Sequence, residues 1–119
     1  MRAFEKDGKY NFVDDNNVLV GFDAQCCCCE NFGWMVSKEI PPPDELNERE
    51  QNKEYEGFNF DTSFINKQPS GMDCGEQVSF RMTKGGDILY LTLWNHHNGY
   101  YSHGFDMIKD SHEIFRGSL

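Results

Sequence analysis

Nowhere in its 119 residues does the chain carry an apolar run approaching the ~20 residues that a membrane-spanning helix needs. The leading stretch, Met1-Arg2-Ala3-Phe4-Glu5-Lys6-Asp7, also lacks the apolar segment of a secretory signal. A cytoplasmic protein with no membrane partner is the expectation. Basic residues are scarce: 11 Lys and Arg face 20 Asp and Glu, a net charge of −9. Phosphate-mediated binding to DNA or RNA needs a basic patch that releases counterions, so direct nucleic-acid binding is disfavoured. Such acidity suits mimicry of nucleic acid towards a basic partner, but its plainer consequence is solubility. Spaced cysteines are missing too. Four of the five are contiguous, Cys26 to Cys29, and adjacent cysteines rarely reach the geometry of a mutual disulfide. A secreted framework would separate them, so reduced thiols are expected.

Aromatic residues and glycine are plentiful. Phe, Tyr and Trp make up 14% of the chain, with eleven Gly beside them, which favours strands and tight turns over a helical bundle. The length fits a single domain over residues 1–119. Lys9 to Val13 and Val18 to Gln25 read as strands around the turn Asp14-Asp15-Asn16-Asn17, with Val18, Val20 and Phe22 on one face. Phe32, Trp34 and Val36 alternate until Pro41-Pro42-Pro43, which cannot donate ladder hydrogen bonds. The polar stretch Asp44 to Glu56 reads as a solvated loop or short surface helix. Phe58, Phe60 and Phe64 then suggest a strand with one aromatic face.

Glu76 to Thr83, Ile88 to Asn95 and Tyr100 to Ile108 read as a three-strand meander. Its turns are Lys84-Gly85-Gly86-Asp87 and Asn98-Gly99. The tail from Lys109 to Leu119 carries no clear pattern. The fold class is therefore mostly β, a single antiparallel sheet or partly closed barrel built from hairpins, with little helix. So little covering helix leaves the sheet to curl on itself or to pair with a second protomer, which puts a homo-oligomer among the expected partners.

Two segments stand out chemically. In the run Cys26-Cys27-Cys28-Cys29, the outer pair Cys26 and Cys29 has the C-x-x-C spacing of a zinc knuckle. Further ligands would have to come from Cys74, His96, His97, His103 or His112, with no second paired motif. A reactive thiol activated by a histidine is the second reading. The third, and preferred, is that these cysteines serve as small buried apolar residues in a tight bend. The other segment runs from Trp94 to Phe105. Around its turn, Trp94, Asn95, His97, Asn98, Tyr100, Tyr101 and His103 combine flat faces with hydrogen-bonding edges, the chemistry of a small-molecule or nucleobase pocket. Cross-strand packing around an Asn-Gly turn is the plainer alternative.

The two segments together resemble a small, functionally uncharacterised family found largely in bacteriophages and prophages. Its pattern is an early Cys-Cys pair followed by an aromatic, then Asn-x-x-Asn-Gly-Tyr-Tyr and small residues. Here the second motif stands as Asn95-His96-His97-Asn98-Gly99-Tyr100-Tyr101-Ser102-His103-Gly104. The first stands as Cys27-Cys28 or Cys28-Cys29 with Phe32 or Trp34, and the family's Ser after the pair is replaced by further Cys or Glu30. The similarity covers two patches within residues 16–107. It implies a compact β-rich fold and a phage-related origin, with no known activity. Compact phage proteins of this kind include anti-defence factors that sequester nucleotide signals, which is analogy at the level of class. No paired carboxylates, Gly-rich phosphate loop or triad spacing point to catalysis. A non-enzymatic module binding a small-molecule ligand or a protein partner is the expected function, with zinc-stabilised interaction domain as the alternative and a Cys/His enzyme behind it.

Overall fold

The computed structural model describes residues 1–24, 32–42, 55–69, 76–95 and 103–119. Nine strands account for most of them: β1 (Arg2–Lys6), β2 (Lys9–Val13), β3 (Val18–Asp23), β4 (Phe32–Ser37), β5 (Asn59–Pro69), β6 (Glu76–Lys84), β7 (Asp87–Asn95), β8 (Gly104–Lys109) and β9 (His112–Ser118). Every pairing is antiparallel. The strands divide into a five-stranded sheet ordered β1-β2-β3-β8-β9 and a four-stranded sheet ordered β4-β7-β6-β5. The mostly-β expectation holds. The single sheet is replaced by two, and neither closes into a barrel. No helix among the described residues is long and apolar enough to cross a membrane.

Period-two alternation explains the core. From the five-stranded sheet Phe12, Val18, Val20, Phe22, Phe105 and Met107 point inward, and Val36, Phe60, Val78, Phe80, Met82, Leu91 and Leu93 answer from the other sheet. Edge-to-face ring pairs fasten the two layers, Phe12 with Trp34 at 5.0 Å and Phe80 with Phe105 at 6.0 Å. A buried carboxylate adds a polar joint. Asp14, in the turn after β2, accepts from the main-chain N–H of Asn16 and Val18 at 2.9 Å each, and from that of Phe60 on β5 at 2.8 Å. The β2–β3 hairpin is thereby tied to the opposite sheet.

Three expectations are corrected by the topology. Tyr100 to Ile108 is not the third strand of a meander: β8 begins at Gly104 and pairs with β3 and β9, while β7 pairs with β4 and β6. The chain changes sheets between β7 and β8, because both edges of β7 are already occupied. Phe64 does not share a face with Phe58 and Phe60. The β5–β6 register shifts between Phe60 and Ile65, so Ile65 packs against the core and Phe64 lies outward against Tyr90, at 5.9 Å. The tail is a strand, β9, joined to β8 through Asp110 (φ 50°) and Ser111 (φ 67°). Left-handed backbone at both central positions is the type I′ hairpin geometry. Asp7 (φ 54°) and Gly8 (φ 75°) build the same turn between β1 and β2, which makes Arg2–Lys6 a strand the sequence reading passed over. The polar stretch Asp44 to Glu56 lies outside the described residues apart from its last two positions.

Candidate functional site

Of the predicted ligand-binding residues, Trp94, Asn95 and His103 are described; His97, Asn98, Tyr100 and Tyr101 lie outside the described residues, as do Cys26 to Cys29. All three described residues are buried. His103 precedes β8 and forms a two-way main-chain pair with Leu119, at 2.8 and 2.9 Å. Its ring stacks on Phe32 with centroids 4.3 Å apart and planes 26° apart, and Nδ1 lies 2.7 Å from the carbonyl oxygen of Asp23. A carbonyl can only accept, so Nδ1 carries the proton in this contact. Asn95 Nδ2 donates to the main-chain oxygen of Leu119 at 3.1 Å, the same oxygen that His103 N–H reaches. Asn95 and His103 thus share one acceptor.

Trp94 is not part of this group. Neighbouring residues on a strand face opposite ways, so Trp94 lies on the outward side of the four-stranded sheet, between Gly33 of β4 and Gln77 of β6. That side is buried as well. Ser79 and Thr92 hydroxyls bond each other at 2.8 Å, and Gln77 Nε2 donates to the Pro41 carbonyl at 3.0 Å where the chain after β4 crosses this face. Among the described residues, the Trp94 indole N–H and Gln77 Oε1 have no hydrogen-bond partner.

Register places the remaining pieces. Phe32 pairs with Asn95, Asn95 with Glu76, and Glu76 with Pro69, so all four strands of one sheet reach the same row. Asp23 and His103 bring the other sheet to that row through the ring stack and the Nδ1 contact. Three stretches of sequence are joined at both ends to this single end of the sandwich. Residues 25–31 hold Cys26 to Cys29, residues 70–75 hold Cys74, and residues 96–102 hold His96, His97, Asn98, Tyr100 and Tyr101. No sequence signal could show this convergence, because it depends on the strand order.

A second polar cluster was missed by the sequence reading. Asp61 accepts from the Ser63 hydroxyl at 2.6 Å and its main-chain N–H at 3.0 Å, and from Arg81 Nη2 at 2.6 Å and Nε at 3.1 Å. The Ser63 bonds first, and Arg81 after them, pull the Asp61 carboxyl down to about 2. The Arg81 guanidinium lies 4.6 Å over the Phe64 ring. Every part of this cluster is matched to another, which makes it a brace across β5 and β6. Among the described residues no group of three or more His, Cys, Asp or Glu side chains is placed to hold a metal ion. No protein-family model matches the chain, and no curated protein or solved structure shows significant similarity to it.

Proposed function

We propose that the protein is a non-enzymatic binding module that meets its ligand or partner at the end of the sandwich built on Asp23, Phe32, Asn95 and His103. One observation supports the reading. Residues of both sheets are locked together at this end, and the stretches joined to it contain all five cysteines, His96, His97 and the Tyr100-Tyr101 pair. Recognition groups on connections held by a rigid scaffold are the usual arrangement of a binding protein, although a β-sandwich by itself hosts many functions. The aromatic and amide groups suit a planar ligand with hydrogen-bonding edges, of nucleotide or small-metabolite type. The phage-family resemblance fits a cytoplasmic accessory or anti-defence protein.

Native mass spectrometry under reducing conditions, before and after mild denaturation, tests the reading. A co-purified organic mass that Asn98→Ala and Tyr100→Ala each release, with the fold intact, is the expected outcome. Undiminished binding in both variants rules out this end as the site.

The zinc-stabilised alternative has its own supporting observation: the stretch with Cys74 is joined to the same end as the cysteine run. It requires one zinc per chain in protein purified with zinc present, lost in Cys26→Ser and Cys29→Ser. Zinc-free wild-type protein after such loading removes it.

A further inference from the structure

The outward face of the five-stranded sheet meets the site above only at Asp23, whose main-chain carbonyl holds His103. Its residues alternate with the core residues of the same strands, and register arranges them in rows across the sheet. One row runs Arg2, Val13, Leu19, Ile108, Glu113. The next runs Phe4, Asn11, Gly21, Asp106, Arg116. Phe4 is 47% exposed and Val13, Leu19 and Ile108 are half-buried. With Lys6 and Lys9 these four residues line a concavity of about 760 Å³. This face mixes both charge signs around an apolar stripe, on a chain whose net charge is −9.

We propose that a second copy of this chain docks here, face to face, about a two-fold axis lying along β3. Such an axis exchanges the two flanks of the sheet while β3 stays opposite itself. The first row is then self-complementary: Arg2 meets the partner's Glu113, Val13 meets the partner's Ile108, and Leu19 meets the partner's Leu19. In the second row Phe4 meets the partner's Arg116, a cation over an aromatic face. Asn11 meets the partner's Asp106, an amide donor against a carboxylate. Gly21 sits opposite the partner's Gly21 at the centre, and on each copy the Asp106 carboxylate leans over Gly21, 2.7 Å from where a Cβ would stand.

An axis across the strands instead would set Arg2 against the partner's Lys6, so charge selects the first arrangement. Two like-charge meetings remain near the axis: the Asp106 carboxylates that lean over Gly21, and Asp23 on the partner's Asp23, beside which Lys9 stands in register on each copy. Among the described residues Glu113 has a loose contact with Arg116, at 3.7 Å with the Glu113 side chain 47% exposed, which leaves it within reach of Arg2 of the other copy. Isologous contacts of this kind close at two subunits.

The footprint sets the strength. Five strands ~4.8 Å apart and ~17 Å long cover roughly 400 Å² per copy, about half of a standard stable interface. Dimers therefore fill at high protein concentration rather than permanently. Sedimentation across a series from micromolar to millimolar protein should show a reversible monomer–dimer equilibrium. Arg2→Glu and Glu113→Arg should each weaken association by about tenfold or more. The double swap Arg2→Glu with Glu113→Arg should recover most of that loss, and Leu19→Asp should abolish the dimer. All three positions are on a solvent-facing side, and thermal unfolding of each variant checks that the fold is kept. A monomer at every concentration overturns the proposal. So does a dimer indifferent to Leu19→Asp, or a double swap no better than the single ones.

Discussion

Around Trp94 the outward face of the four-stranded sheet is as dry as the core, with Gln77, Ser79 and Thr92 fully buried and Trp94 3% exposed, while Arg81 farther along the same face stays partly exposed. On the five-stranded sheet the corresponding face leaves Phe4 nearly half exposed, with Lys6, Lys9 and Arg116 exposed around it. Both faces alternate with core residues in the same way, so the hydrophobic pattern does not distinguish them. What separates them is the covering chain. Pro41 lies over the first, held by Gln77, and polar side chains there survive burial by bonding one another, as Ser79 and Thr92 do. No described strand packs over the second. Among the described residues, one sandwich face is covered by the chain itself and the other is not.

Truncation on the covered face should have the largest effect. Trp94→Ala removes a buried indole and leaves a cavity, an expected loss of about 3 to 5 kcal/mol in chemical denaturation. Leu19→Ser on the open face should cost the monomer under about 1 kcal/mol; equal losses would show that the two faces are alike after all. Next comes the joint between the sheets. Asp14→Ala strands the buried N–H groups of Val18 and Phe60, for an expected cost of about 2 to 3 kcal/mol. A negligible loss would mean that the sheets are held by packing alone.

The smallest effect concerns acid. The Asp61 carboxyl titrates at about 2 in the folded chain against an ordinary 3.8. The folded pKa is the lower one, so its stabilising contribution is complete above about 4 and lost as pH falls towards 2. Asp61→Asn should therefore be less stable than wild type near neutrality, with the gap closing over that window. Parallel curves through the acid range would show that the Ser63 and Arg81 bonds do not hold the carboxylate.

Most strands were legible because their alternation is local: Lys9 to Val13 and Glu76 to Asn95 stand nearly where period two puts them. Pairing was not. The Asn98-Gly99 turn suggested that β7 and β8 are neighbours, yet each already has two other partners. Asp7-Gly8 carries the same kind of signal and does close a hairpin. A turn dipeptide therefore indicates a reversal without saying which edges remain open. The site was legible only as residue chemistry. Trp94, Asn95 and His103 were singled out together, but facing alternation sends Trp94 to one side of its sheet and Asn95 to the other. That the described residues flanking three separate stretches meet in one row comes from strand order, which no local pattern encodes.

The pairing of β3 with β8 also bears on how the chain folds. Val18 lies against Lys109 and Phe22 against Phe105, partners more than eighty positions apart. The central strand of the five-stranded sheet thus lacks one neighbour until late in synthesis, and its first three strands emerge as a hairpin pair with an unfilled edge. Closing so long a loop is entropically costly before any contact rewards it, so refolding should be slow, on the millisecond-to-second scale of all-β domains. The early strands would then be most prone to wrong pairing during that interval, when β8 has not yet arrived.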